Sequence, residues 1–136
     1  AAEVFGVVDR ISTLESDTDD VCEVIVRFQS GTLGNLHMSL FTPVMHGQFE
    51  FTGERGIIRW DRPLNQISVF DTAANRWEVY PFSCQLNDMY VDEARHFVDC
   101  VRGAAAPACD GWDGLKTLQL CLAAVRSSQE RRWVRL

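Results

Sequence analysis

The sequence predicts an α+β fold: an open, mostly antiparallel β-sheet meander with two C-terminal helices packed on one face. Three observations carry this. Residues 2–82 contain a series of short runs in which apolar and polar side chains alternate, the period-two signature of half-buried strands. The connections between them are rich in Gly, Pro, Asn and Asp, which suit tight antiparallel turns. From residue 87 the apolar spacing changes to threes and fours, the period of an amphipathic helix. Strands first and helices after place the helices over a face of the sheet.

The first strand is expected within residues 2–12, where Val4, Phe5, Val7, Val8 and Ile11 supply the apolar content. The acids of ESDTDD (residues 15–20) have the look of a calcium loop, but Val21 stands where a third ligand is needed and no Gly or Glu stands at the later loop positions. A solvated loop is the better reading. The clearest strand pair lies in DDVCEVIVRFQSGTLGNLHMSL, residues 19–40, with Gly31 supplying the positive φ of a hairpin turn. Val24, Val26, Phe28, Leu36, Met38 and Leu40 form an apolar face. Glu23, Ile25, Arg27, Asn35, His37 and Ser39 form the opposite one.

Pro43 breaks the ladder, having no amide hydrogen to donate. Alternation resumes over residues 46–53, with Phe49 and Phe51 opposed to Gln48, Glu50 and Thr52. Strands over 56–61, 66–71 and 76–82 follow, parted by turns at 53–56, 62–65 and Asn75. Residues 87–102 then read as a helix capped by Asn87 or Asp88 and closed by Gly103, with Tyr90, Ala94, Phe97, Val98 and Val101 as its stripe. A second helix starts at Asp110, carries Leu115, Leu118, Leu122 and Val125 as its packing stripe, and ends near 127–130. Residues 132–136 return as a short strand.

The composition bounds the function. The 136 residues, 46% hydrophobic and 24% charged, suit one soluble globular domain. Nineteen acids against 13 basic residues give a net charge of −6, without the concentrated positive charge a nucleic-acid binder needs. No apolar run is long enough to cross a bilayer and no export leader is visible, so a cytoplasmic location is expected. The five cysteines form no CxxC pair and read as free thiols of a reducing compartment. The abrupt opening on a strand reads as a piece of a longer protein.

Taken in order, three blocks resemble the C-terminal domain of the Gfo/Idh/MocA family, the glucose–fructose oxidoreductase and inositol dehydrogenase-like enzymes. They are VIVRFQSGTLGNLHMS, HGQFEFTGERGIIRWD, and NDMYVDEARHFVDCVRG with DGWDGLKTLQLCLAAVRSSQERRWVRL, which together span nearly the whole chain. The resemblance implies a two-domain oxidoreductase using NAD or NADP on a sugar, polyol or related substrate. In such an enzyme an N-terminal Rossmann domain binds the dinucleotide, while this domain helps form the substrate cleft and the subunit interface.

No dinucleotide fingerprint is present here. The GxxG pairs Gly31/Gly34, Gly53/Gly56 and Gly111/Gly114 fall at turns and at a helix start. The chain is therefore expected to bind no cofactor itself, and no catalytic, cofactor or metal residue is assigned within it. Among the histidines, His46 is the substrate-contact candidate, because the strand end it follows can approach the cleft in the family. His37 reads as an ordinary sheet-face residue and His96 as solvated. Asp92, Glu93, Asp110 and Asp113 read as an outer helix face and helix-start acids, and Trp112 as packing over the loop before the second helix.

Glu23, Ile25, Arg27, Asn35, His37, Ser39, Gln48, Glu50 and Thr52 are expected to share one uncovered, largely polar side. An antiparallel sheet can leave such a side to water. The resemblance favours a self-complementary interface of a homodimer or higher homo-oligomer instead. The rival reading, from a different class, is a stand-alone dimerising or scaffolding module without catalytic activity.

Overall fold

The computed structural model describes residues 1–44 and 46–136. In chain order its elements are β1 (Glu3–Asp9), β2 (Val21–Arg27), β3 (Leu33–Ser39), β4 (Gln48–Gly53), β5 (Gly56–Asp61), β6 (Gln66–Asp71), β7 (Arg76–Pro81), α1 (Leu86–Val101), α2 (Gly111–Glu130) and β8 (Val134–Arg135). The fold is α+β with open antiparallel sheets, as the alternation followed by helical spacing predicts. The strands fall into two four-stranded sheets rather than one meander, ordered β3-β2-β1-β8 and β4-β5-β6-β7. The interruption at Pro43 is therefore a change of sheet. The chain forms two compact units, Ala1–Thr42 with Ala108–Leu136, and Pro43–Pro107.

In the first unit the hairpin forms as expected, with Gly31 at φ 87° and Val24 opposite Leu36. The core comprises Val4, Val24, Val26 and Val134 from the sheet with Ala123 and Ala124 from α2. The leucine stripe expected to pack is not the face that does. Leu115, Leu118, Leu122 and Val125 are exposed, while Ala123, Ala124 and Ser127 are buried. The reason is close approach. A Cβ on Gly6 would stand 2.7 Å from the Ala124 carbonyl oxygen, so the helix backbone rests directly on β1, a separation that only small residues allow.

This contact also completes β1. Its neighbour β8 pairs only with Glu3 and Val4, leaving later amides on that side without a strand. Gly6 N donates to Ser127 Oγ (3.0 Å) and Val8 N to Ser128 Oγ (2.9 Å). Ser127 Oγ in turn donates to the Arg132 carbonyl (2.6 Å) and Ser128 Oγ to that of Val8 (3.0 Å). Two helix serines thus occupy the positions a longer β8 would fill. Between β1 and β2 the buried Asp20 organises the loop, accepting hydrogen bonds from Ile11 N (2.9 Å), Ser12 N (3.0 Å) and Ser12 Oγ (2.5 Å). These donors, with Ser12 Oγ foremost, hold its carboxyl below the ordinary carboxylate range.

In the second unit β4 to β7 pair in sequence order. Asn65 and Asn75 take positive φ, 47° and 49°, at the two turns that follow β5 and β6, as asparagine tolerates. Helix α1 begins two or three residues earlier than the expected Asn87 or Asp88 cap. The cap is Gln85, whose N–H donates to Asp88 Oδ2 at 3.0 Å, so Asp88 is the third residue of a capping box and not the cap itself. Gly103, at φ 73°, closes the helix. No residue of α1 is buried, and Tyr90, Phe97, Val98 and Val101 are exposed. Helix α2 is capped by Asp110, whose Oδ1 accepts from Trp112 N and Asp113 N at 2.9 and 3.0 Å.

Candidate functional site

The cross-strand register decides which polar residues meet. On the first sheet, four rows lie on the face away from α2: Glu3, Arg27 and Leu33; Phe5, Ile25 and Asn35; Val7, Glu23 and His37; Asp9, Val21 and Ser39. Glu23, Ile25, Arg27, Asn35, His37 and Ser39 therefore share one surface, as the alternation predicts. Gln48, Glu50 and Thr52 lie in the other sheet and share a face with Ile57, Arg59, Asp61, Gln66, Ser68, Phe70, Trp77 and Val79. Period-two alternation gives the facing of each strand but carries no information on which sheet it joins. The nine residues are two groups, six and three.

The first face is more apolar than the alternation of β2 and β3 suggests. Strand β1 contributes Phe5 and Val7, and β3 contributes Leu33. Val7, Ile25 and Leu33 are 46%, 44% and 59% exposed. One ion pair and one imidazole–carboxylate contact frame them. Arg27 Nε meets Glu3 Oε1 at 3.0 Å, and its guanidinium lies 5.9 Å from the Trp133 ring centre; Trp133 in turn packs on Phe5, with centroids 5.8 Å apart. His37 Nδ1 meets Glu23 Oε1 across the strands. The Ser39 hydroxyl, buried at the end of the last row, has no hydrogen-bond partner among the described residues.

On the second sheet Glu50 grips Arg59 through one oxygen, with Nη2 at 2.6 Å and Nε at 2.9 Å. The same guanidinium lies 5.2 Å from the Trp77 ring centre, and Trp77 packs against Phe70 at 5.3 Å. Arginine suits this place because a planar cation can pair with a carboxylate at its edge and lie over an indole with its face. The opposite face carries Phe49 against Trp60, centroids 5.4 Å apart. It also carries Tyr80, whose hydroxyl donates to Glu78 Oε2 at 2.6 Å. That bond and Arg76 hold the Glu78 carboxyl down, and the same bond raises the Tyr80 phenol.

The remaining candidates separate. His46 is exposed in the loop ahead of β4. Its neighbour Gly47 accepts a hydrogen bond from Arg62 N at 2.9 Å, which brings that loop to the end of β5. His96 is half-buried, with its Nε2 3.5 Å from Cys100 Sγ one turn along α1, so it is not the solvated residue expected. Trp112 is 73% exposed and does not pack over the preceding loop. Asp92 pairs with Arg95, and Asp113 stands in the first turn of α2. Neither helix is long and apolar enough to cross a membrane. Sequence reasoning missed Arg62, which falls in a turn and lines a cavity in the second unit. Its partial burial without a side-chain partner among the described residues, invisible in the sequence, marks it out.

Comparison with known proteins places this geometry. The model of the oxidoreductase family C-terminal alpha/beta domain, the Gfo/Idh/MocA C-terminal domain, matches residues 4–136. The chain belongs to this family. A myo-inositol 2-dehydrogenase of Thermotoga maritima is 32% identical over 121 residues, covering 86% of this chain and 36% of the relative. A scyllo-inositol 2-dehydrogenase (NAD(+)) of Bacillus subtilis is 26% identical over 105 residues, covering 75% of this chain and 31% of the relative. The chain thus spans about a third of the length of the curated relatives it matches. Among solved structures, an oxidoreductase from Agrobacterium radiobacter in complex with NAD+, L-tartaric acid and magnesium has the same fold. It matches with a TM-score of 0.83 at 20% identity, over 98% of this chain and 43% of that one. Levoglucosan dehydrogenase in complex with NADH and L-sorbose matches with a TM-score of 0.82 at 17% identity, over 98% and 44%.

Proposed function

We propose that these 136 residues act as one domain, the C-terminal substrate and oligomerisation domain of an NAD(P)-dependent oxidoreductase acting on a sugar, polyol or related substrate. The observation that carries this is the 32% identity to an inositol dehydrogenase across 86% of the chain. Two solved relatives, complexed with NAD+ and with NADH, support the cofactor class. In the intact protein an N-terminal Rossmann domain would hold the dinucleotide. A carbinol carbon would pass hydride to the nicotinamide while its hydroxyl proton leaves to a base. This domain would orient the carbinol, with His46 the contact candidate from its own chain. The reaction class fits a cytoplasmic location.

The same reading assigns the first sheet's open face to self-association. Exposed Val7, Ile25 and Leu33 lie between the Arg27–Glu3 and Glu23–His37 pairs. An apolar centre with a charged margin is the composition of a subunit interface, and a two-fold axis would bring like rows together. Gln48, Glu50 and Thr52 are interface candidates on the second sheet. Light scattering on this chain combined with titration of NADH and NADPH tests both halves. A dimer that ignores both nucleotides is expected. A monomer removes the interface, and micromolar nucleotide binding removes the division of labour between domains. Inositol- or sugar-dependent NAD(P) reduction by the intact protein tests the activity; its absence across neutral and acidic sugars would favour the scaffolding module.

A further inference from the structure

Within the second unit a cavity of about 310 Å³ opens between the β5–β6 turn, the end of β7 and the start of α1, walled by Trp60, Phe82, Leu86 and Met89. That volume is at the lower end of small-molecule sites, too small for a dinucleotide. Its two polar side chains are Arg62 and Asn65. Arg62 is half-buried, yet its guanidinium has no ion pair or hydrogen bond among the described residues, whereas Arg27, Arg59, Arg76, Arg95 and Arg126 each hold a carboxylate. Arg55, Arg102, Arg131 and Arg135 also hold no carboxylate but are exposed, whereas Arg62 is partly desolvated with five unanswered donors.

The frame around it is fixed. Arg62 N donates to the Gly47 carbonyl (2.9 Å), Asn65 N to the Arg62 carbonyl (3.1 Å), and Phe82 N to the Asn65 carbonyl (2.9 Å). Trp60 is held by its ring contact with Phe49. Asp61, next to Arg62 in sequence, accepts from Leu64 N and Asp88 from Gln85 N, and neither pairs with the Arg62 guanidinium. A small site with an aromatic wall, an amide and an unmatched guanidinium is arranged for a ring bearing one anionic group.

We propose that this cavity binds an anionic monosaccharide, its ring against the Trp60 and Phe82 wall and its carboxylate or phosphate on Arg62, with the Asn65 amide beside it. The step from ligand to substrate rests on the oxidoreductase reading above; the binding itself does not. A neutral polyol would leave Arg62 as unmatched as before, so the anionic group sets the preference. The β4-side loop carrying His46 reaches this corner through Gly47.

The test is titration of the 136-residue chain with glucuronate, glucose 6-phosphate, inorganic phosphate and myo-inositol, followed by amide chemical shifts. Glucuronate or glucose 6-phosphate is expected to bind at least ~10-fold tighter than myo-inositol and than inorganic phosphate, the discrimination of one charge-assisted pair. Which of the two binds better separates a carboxylate from a phosphate site. Arg62→Gln should abolish the preference, Arg62→Lys should restore part of it, and Asn65→Asp should weaken anion binding while keeping a residue that tolerates positive φ. Equal binding of all four ligands, or a preference that survives Arg62→Gln, overturns the proposal. An intact protein that reduces no NAD(P) with any sugar would instead overturn the oxidoreductase reading and leave this binding measurable.

Discussion

Replacing Gly6 with alanine tests the contact on which the first unit is built. The added Cβ would stand 2.7 Å from the Ala124 carbonyl oxygen and 3.2 Å from its Cα and carbonyl carbon, all backbone atoms that cannot rotate away. Ordinary contact for a Cβ begins at 3.4 Å, so α2 and β1 must part by about 0.7 Å (3.4 − 2.7). Overpacking of this kind costs roughly 1–3 kcal/mol. The separation also stretches the 3.0 Å bond from Gly6 N to Ser127 Oγ, and a weakened buried hydrogen bond adds about 1 kcal/mol. The expected loss is therefore about 2–4 kcal/mol, a large share of the 5–15 kcal/mol that holds a typical domain. The assay is urea denaturation followed by far-UV circular dichroism. Amide exchange of Val24 and Val26 reports the first unit, and Gly53→Ala, which meets nothing within 4 Å, serves as the control. A loss below about 0.5 kcal/mol, or no difference from the control, would refute the close approach of α2 to β1.

Three further outcomes are expected. Ser127→Ala leaves the Gly6 amide and the Arg132 carbonyl without their buried partner and should cost about 1–3 kcal/mol, with faster exchange at Gly6. Asp20 has a depressed carboxyl in the folded chain, so its stabilisation is full above the ordinary aspartate range and is lost as pH falls below about 4. Asp20→Asn should accordingly be less stable than the parent at neutral pH, and that gap should narrow through this acid window; a gap independent of pH would contradict it. Arg27→Glu places a carboxylate beside Glu3 and under Trp133. It should lower the association measured by light scattering while leaving the circular dichroism spectrum in place, and an unchanged mass would remove the first sheet's face from the interface.

Much of this architecture was legible because strands and helices announce themselves locally. Alternation in VCEVIVR and LGNLHMS fixes both faces of the β2–β3 hairpin, and the register pairs Glu23 with His37 accordingly. What escaped was non-local. The Gly6–Ser127 bond joins residues 121 apart, and no periodicity carries it. The sign was present in another form: Ala-Ala and Ser-Ser pairs within a leucine-rich helix, and one glycine in a strand of valines, mark a place where two backbones meet. Reading α2 by its largest side chains chose Leu115, Leu118 and Leu122, whereas the buried face was chosen by what fits over Gly6.

The division into two sheets shows the same limit from the other side. Alternation in QFEFTG reports that Gln48, Glu50 and Thr52 face together, and so they do. Membership of a sheet is decided by which backbone offers its free edge, and here β5 supplies it to β4 over all six residues from Gln48 to Gly53. A polar surface drawn through all nine residues therefore joined two surfaces, each with its own ion pair and its own tryptophan: Arg27 with Glu3 and Trp133, Arg59 with Glu50 and Trp77. Arg62 extends the point. In sequence it is one more turn residue beside a proline, and its chemistry follows only from what does not surround it. A charged side chain becomes a site when the fold desolvates it without answering it, and that can be read only once every neighbouring acid has been assigned to another partner.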